Sequence, residues 1–145
     1  MKISNVAIIL PYDEQGKILF QDRRKISKHG EEYGFFGGHI ENNETPEDAL
    51  KRELKEELEI NTDDLENLEF FKQFNNYVKE WDKKIKRSTY LAKIPELNNL
   101  KIHEGKAIVI DIEKSFNLKM NPGDSELLKE IYKYLKSKKY LKNHS

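Results

Sequence analysis

Residues 37–60 read GGHIENNETPEDALKRELKEELEI, and acidic side chains are concentrated in this stretch. From residue 38 onward it carries eight acidic and three basic side chains. Glu53, Glu56 and Glu57 lie at positions i, i+3 and i+4, which share one face of an α-helix. Because crowded carboxylates repel one another, this spacing favours either a solvated surface or a site for a divalent cation. Mg²⁺ fits such a site, since it prefers oxygen ligands and commonly pairs with substrate phosphates.

The residues before these carboxylates predict the start of a helix that runs from about Pro46 to Leu58. Thr45 is suited to the N-cap position and Pro46 to the first helical position. Glu47 and Asp48 place negative charge in the first turn, where the helix dipole favours it. Thr45 and Asp48 together resemble a capping box with Asp in place of Glu.

Apolar side chains mark the opposite face of the predicted helix. They recur at the spacing expected for an amphipathic helix packed on a sheet. The glutamates would then lie on a rigid element whose other face is buried in the core. The apolar positions are Ala49, Leu50, Leu54 and Leu58.

Length and composition restrict the class of protein. A chain of 145 residues predicts one domain, residues 1–145. Cysteine is absent, which excludes disulfides, thiolate zinc sites and thiol nucleophiles. Because neither a membrane-spanning apolar run nor a secretory leader is apparent, we expect a cytoplasmic protein without membrane contact.

The zero net charge is the sum of two unlike parts. Residues 1–60 carry 9 basic and 13 acidic side chains, whereas residues 61–145 carry 17 and 13. The acidic first part favours a cation site, and the basic second part is compatible with an anionic substrate.

Hydropathy patterns predict strands on both sides of the acidic helix and a second helix at the end. Ile3–Leu10 and Lys17–Asp22 read as a hairpin, and a polar loop follows over residues 23–32. A second helix begins at Asp124 or Ser125. This order predicts an α/β or α+β sandwich. Further strands are predicted at Leu68–Val78, Ile85–Ile94 and Ala107–Ile112.

The acidic stretch as a whole resembles the Nudix box, the signature of hydrolases that act on nucleoside diphosphates linked to another group. The resemblance implies a mixed β-sheet between α-helices. Two positions differ from the family pattern: Glu59 stands where the family has Gly, and Phe36 stands where many members have Pro. The matching residues are Gly38, Glu44, Arg52, Glu53, Glu56, Glu57 and Ile60.

The resemblance implies roles for the residues of the box. Arg52 and Glu44 would orient the carboxylates. The general base would be Glu53, or alternatively Glu104 from a loop further along the chain. The implied ligands of Mg²⁺, or of Mn²⁺, are the carbonyl of Gly38 and the carboxylates of Glu53, Glu56 and Glu57.

Residues outside the box are candidates for substrate binding. Arg23 resembles a position that contacts substrate phosphate in relatives, although a solvent-facing role is equally compatible with the sequence. Asp124 lies where some relatives have a base-reading Asn, but its position favours the N-cap of the last helix. The aromatic residues Phe35, Phe36 and Phe74 could stack on a base or belong to the core.

The resemblance leaves several substrates open. It favours a pyrophosphohydrolase of (d)NTPs, of the 8-oxo-dGTP or noncanonical nucleotide type. The alternatives are a dinucleoside polyphosphate hydrolase, to which the position of Tyr77 weakly points, an ADP-ribose hydrolase, an RNA 5′-pyrophosphohydrolase and a noncatalytic nucleotide-binding module. The expected partner is therefore a small nucleotide, bound by a monomer or a homodimer.

Overall fold

The computed structural model describes residues 1–58, 65, 67–97 and 106–142. The chain forms two compact units, the first from Met1–Leu10 and Phe36–Ala92 and the second from Pro11–Phe35 and Lys93–Ser145. Among the described helices, none is long and apolar enough to cross a membrane. Strands and helices together make an α+β fold, as the sequence predicts.

The elements largely follow the predicted order. The end of the last predicted strand is wrong, because Ile112 begins a short helix. Neither this helix, Ile112–Ser115, nor the two-residue strand Tyr33–Gly34 was predicted. Both are too short to show the hydropathy period of a helix or a strand. The strands are β1 (Lys2–Tyr12), β2 (Lys17–Asp22), β3 (Tyr33–Gly34), β4 (Phe36–His39), β5 (Asn67–Val78), β6 (Lys83–Lys93) and β7 (Ala107–Asp111); the helices are α1 (Pro46–Leu58), α2 (Ile112–Ser115) and α3 (Asp124–Ser137), with a 3-10 turn at Lys79–Trp81.

In the first unit, strand β4 pairs with β1 in antiparallel register, with Ala7 opposite Gly38. Gly37 and Gly38 both lie inside strand β4. Gly37 has a φ of 137°, and a β carbon there would lie 2.0 Å from the carbonyl oxygen of Ala7. Only glycine allows this approach of the two backbones.

Helix α1 has the predicted boundaries and the predicted capping box. The amide of Asp48 donates to Oγ1 of Thr45 at 3.1 Å, and the amide of Thr45 donates to Oδ2 of Asp48 at 3.4 Å. These two bonds satisfy donors at the helix start that would otherwise lack a partner. The predicted apolar face is buried, which confirms the stripe of Ala49, Leu50, Leu54 and Leu58.

In the second unit, strand β2 pairs with β3, with β7 and with the end of β1. The pairing of Tyr12 with Ile18 confirms the predicted hairpin. Asp13 stabilises its turn, since Oδ1 accepts from the amides of Gln15 and Lys17.

Helix α3 is confirmed, but the predicted N-cap is wrong. The N-cap residue is Gly123, with a φ of 93°, and no side chain caps the helix. Asp124 is instead the first helical residue, and it is 7% exposed. Because glycine adopts positive φ at little cost, the chain can turn one residue earlier than the carboxylate suggested.

Candidate active site

A network around Arg52 organises the acidic helix. We call Arg52, Glu44, Glu53 and the carbonyl of His39 the Arg52 cluster. Nε and Nη2 of Arg52 donate to the two oxygens of Glu44, each at 3.0 Å, and Nη1 donates to Oε1 of Glu53 at 2.8 Å. Nη2 also donates to the carbonyl of His39 at 3.0 Å. The guanidinium thus joins strand β4, the loop before the helix, and the helix itself.

This arrangement differs from a pairing along the face of the helix. The helical spacing would allow Arg52 to pair with Glu56, four residues later. Among the described residues, the guanidinium instead contacts carboxylates at positions 41, 44 and 53. Both carboxylate oxygens of Glu44 accept hydrogen bonds from the planar guanidinium of Arg52, and such bidentate pairs are stronger than a single contact.

The electrostatics of the Arg52 cluster keep Glu44 ionised. Hydrogen bonds from Arg52, and then the amide of Glu41, lower the pKa of Glu44 below its ordinary value. The hydrogen bonds to Glu44 and Glu53 in turn raise the pKa of Arg52. Glu44 and Arg52 therefore both stay charged throughout the neutral range.

Gly38 lies directly against one of these carboxylates. A β carbon at this position would lie 2.5 Å from Cδ and Oε1 of Glu53. Real β carbons do not approach other atoms this closely, so a side chain at this position would displace the glutamate. The positions of Gly38 and Glu53 therefore depend on each other.

The remaining two glutamates of the box differ in exposure. Glu56 is exposed, whereas Glu57 is half-buried. Oε1 of Glu57 is buried and accepts no hydrogen bond from the described residues.

The carboxylates match the oxygen ligands that Mg²⁺ prefers. Within residues 1–58, 65, 67–97 and 106–142, however, no three acidic, histidine or cysteine side chains are grouped closely enough to hold a metal ion. Oε1 of Glu53 is engaged by the guanidinium of Arg52. Glu59, Ile60 and Glu104 lie outside the described residues, so the choice between Glu53 and Glu104 as base stays a prediction.

Arg23 and Asp124 meet in the second unit. A β carbon at Gly34 would lie 3.2 Å from Cδ of Arg23 and 3.7 Å from Oδ2 of Asp124. Two residues that are 101 positions apart in the sequence therefore flank the same glycine. A cationic donor and a carboxylate acceptor side by side are suited to a ligand that carries both anionic and donor groups.

Arg23 is held by a glutamate that the sequence analysis missed. Its Nε donates to Oε2 of Glu31 at 3.0 Å, and its Nη1 donates to Oε1 of Gln21 at 2.7 Å. We call Arg23, Gln21 and Glu31 the Arg23 cluster. Glu31 is only 3% exposed, which is rare for a carboxylate. No sequence signal distinguishes it from its neighbour Glu32 in a polar loop.

The candidate aromatic residues divide between core and surface. Phe35 and Phe36 are 6% and 1% exposed, so they belong to the core. Phe74 is half-buried, and the cationic groups of Lys72 and Arg87 each lie 5.8 Å from its ring centre. The hydroxyl of Tyr77 donates to Asp82 at 2.7 Å.

Comparisons with known proteins place this geometry in a family. The profile of the NUDIX domain matches residues 1–131. A comparison with curated protein sequences gave no match.

Solved structures share the fold at low identity. The E. coli ORF135 protein is 25% identical, with a TM-score of 0.66, covering 95% of this chain and 94% of its own. The E. coli dihydroneopterin triphosphate pyrophosphohydrolase is 14% identical, with a TM-score of 0.70, and the match covers 90% of this chain and 97% of that protein. The C. elegans Ap4A hydrolase is 16% identical, with a TM-score of 0.69, and the match covers 92% of this chain and 98% of that protein. Since the family profile spans most of the sequence and the fold agrees, this chain belongs to the Nudix family and is a Nudix hydrolase.

Proposed function

We propose that this Nudix hydrolase is Mg²⁺-dependent and cleaves a nucleoside triphosphate to the monophosphate and pyrophosphate. The observation that carries the proposal is the Arg52 cluster. It fixes Glu53 by a 2.8 Å hydrogen bond from a guanidinium that is itself held by both oxygens of Glu44. A carboxylate held in this way is oriented before substrate arrives, as a catalytic site requires.

The chemistry of the donor set suits a hard divalent cation, and binding one would require these carboxylates to move closer together than they are here. Glu53, Glu56 and Glu57 would hold it, together with the carbonyl of Gly38, and Mn²⁺ could replace Mg²⁺. When bound, the cation supplies Lewis-acid stabilisation of phosphate charge and lowers the pKa of water.

The chain's own residues supply the orientation and the proton acceptor. Arg52 holds Oε1 of Glu53, and Oε2 accepts no hydrogen bond from the described residues. Oε2 of Glu53 is therefore the atom that we propose to accept a proton from the attacking water. Glu104 is the competing base, and Glu104→Gln compared with Glu53→Gln separates the two.

Two further residues are proposed to bind the substrate. Arg23 would contact a phosphate through donors that its described partners leave unused. Asp124 would accept a hydrogen bond from the nucleoside part. Their support is the resemblance to the family together with their shared position at Gly34.

The lysine-rich end of the chain gives little support to an RNA substrate. Lys136 and Lys138 lie 4.3 and 5.9 Å from the ring centres of Tyr132 and Tyr134, and Lys142 pairs with Glu14 at 2.9 Å. These three lysines are thus engaged within the second unit, which favours a solvated helix face over a phosphate-binding surface. The other lysines of this end are Lys129, Lys133 and Lys139.

Glu57→Gln tests the catalytic assignment. We expect it to abolish Mg²⁺-dependent cleavage while the melting temperature stays within a few degrees of wild type. Glu47→Gln is the matched control, because it neutralises an exposed carboxylate on the same helix. Unchanged turnover in Glu57→Gln would contradict the assignment.

One substrate panel tests the substrate class. It compares kcat/KM for 8-oxo-dGTP, canonical dNTPs, ADP-ribose, diadenosine polyphosphates and triphosphorylated RNA. The proposal expects a triphosphate to be preferred, with pyrophosphate as product. Exclusive cleavage of RNA, reduced when the terminal lysines are replaced, would overturn it. Nucleotide binding without product under any divalent metal would indicate a noncatalytic module.

A further inference from the structure

Glu31 is a buried carboxylate with an unusual number of donors. Burial of an isolated charge costs several kcal/mol, so such a group persists only where hydrogen bonds compensate it. Here both oxygens are occupied, and one of the donors is the guanidinium of Arg23. Oε1 accepts from the hydroxyl of Ser27 and the amides of Lys28 and His29, and Oε2 accepts from Arg23 and Asn121.

These contacts keep Glu31 ionised. Burial raises its pKa, but the amide of His29, the hydroxyl of Ser27 and the guanidinium of Arg23 together lower it to about 2. At neutral pH the Arg23 cluster therefore contains a fixed negative charge beside Arg23.

The cluster holds only part of the guanidinium. Nε is bonded to Glu31 and Nη1 to Gln21, whereas no described residue accepts a hydrogen bond from Nη2. The side chain of Arg23 is 24% exposed, and its Cδ packs against Gly34. The aliphatic part of the Arg23 side chain is thus held in place, while the N–H groups of Nη2 remain available to a ligand.

The neighbouring arginine, Arg24, is held by one carboxylate and is more exposed than Arg23. Nε and Nη2 of Arg24 are both occupied by Asp22, at 3.0 and 2.7 Å. Its side chain is 58% exposed and lies over the ring of Tyr33. Arg24 is therefore a matched control: an adjacent arginine with a carboxylate partner, but with an exposed side chain.

We propose that Glu31 is a positioning residue that holds Arg23 so that its remaining donors meet an anionic phosphate of the substrate. The proposal rests on the proposed function, because it takes Arg23 as a substrate contact. An arginine that is ordered in advance loses less side-chain entropy when it binds, so the benefit should appear in substrate affinity.

The link to Asn121 extends the role of Glu31. The amide of Asn121 donates to Oε2 of Glu31 at 3.3 Å, and the carbonyl of Asn121 accepts from the amide of Asp124 at 3.1 Å. One carboxylate therefore ties Arg23 to the start of helix α3, where Asp124 lies. Loss of Glu31 would disturb both residues that flank Gly34.

A double-mutant cycle separates positioning from stability. We expect Glu31→Gln to raise KM about tenfold with kcat nearly unchanged, and to raise KM much less in an Arg23→Gln background, where only the link to Asp124 remains. Asp22→Asn, which loosens Arg24, should leave KM within about twofold. Equal rises of KM in both backgrounds, or a lower melting temperature with unchanged KM, would overturn the proposal.

A second variant covers the case in which Glu31→Gln does not fold. Gly34→Ala leaves Glu31 in place but puts a β carbon 3.2 Å from Cδ of Arg23, so the arginine must shift. We expect KM to rise several-fold at an unchanged melting temperature, and an unchanged KM would count against positioning.

Two measurements do not depend on turnover. In ¹⁵N NMR spectra, the Nε–H of Arg23 should exchange slowly with water in the wild type and rapidly in Glu31→Gln. Calorimetric titration with inorganic pyrophosphate should show weaker binding in the same variant. If the wild type cleaves no nucleotide, the proposed function fails, while these measurements still decide the role of Glu31: unchanged exchange and unchanged affinity would refute it.

Discussion

Gly38 and Glu53 are in direct contact, because a β carbon on the glycine would lie 2.5 Å from the carboxylate carbon. Gly38 lies in strand β4 and Glu53 on helix α1. The contact brings the end of the glutamate to the strand backbone, where Arg52 also bonds the carbonyl of His39. Glu53 can therefore occupy this position only because residue 38 is a glycine.

Gly38→Ala is expected to reduce kcat/KM at least a hundredfold with little loss of stability. The added carbon meets the end of a flexible side chain, which can move away, but the moved Glu53 loses its orientation. Activity measurements and thermal unfolding of the same variant test this.

Gly37→Ala provides the contrast. Its β carbon would meet the carbonyl oxygen of Ala7 at 2.0 Å, and its φ of 137° is unfavourable for alanine. Because backbone cannot move away cheaply, we expect a lower melting temperature in this variant. Equal stability of the two variants would contradict this difference.

Arg52→Lys should lower kcat more than it raises KM. Lysine keeps the charge but cannot occupy both oxygens of Glu44, Glu53 and the His39 carbonyl at once. We expect a loss of about one to two orders of magnitude in kcat, since Glu53 is misoriented and not removed. Steady-state kinetics at saturating metal measure the effect, and a change confined to KM would assign Arg52 to binding.

Thr45→Ala should destabilise the protein by about 1 kcal/mol. The substitution removes the 3.1 Å hydrogen bond to the amide of Asp48. Thr45→Ser is the control, because serine keeps the capping oxygen. Urea unfolding of the three proteins measures the difference, and identical midpoints for alanine and serine would exclude a contribution from the capping box.

The stability that Glu31 contributes should depend on pH in the acid range. Its pKa falls from the ordinary 4.5 to about 2 on folding, so the unfolded chain binds the proton more readily than the folded chain. The contribution is therefore present above pH 4.5 and is lost as the pH falls towards 2. Its size is on the order of 3 kcal/mol.

Denaturant unfolding of wild type and Glu31→Gln between pH 7 and pH 2 tests this. The difference in unfolding free energy should be constant at neutral pH and should shrink through the acid window. A difference that stays constant down to pH 2 would show that the carboxylate has an ordinary pKa in the folded state.

Local patterns predicted those features that depend on neighbours in the chain. The boundaries of helix α1 and its capping box follow from residues within four positions of one another, and the burial of Leu50 and Leu54 follows from helical period. The N-cap of α3 was wrong, because Gly123 and Asp124 both suit a helix start and only the path of the preceding chain selects between them.

The sequence by itself determined which residues form the acidic helix, which face of it is buried, and which family it resembles, because these depend on spacing along one element. The tertiary structure alone decided which partners the charges have: Arg52 bonds Glu44 and Glu53, and Glu31, which no pattern marks, holds Arg23. A guanidinium reaches whichever carboxylates folding brings within about 3 Å, and that distance is set by packing of separate segments.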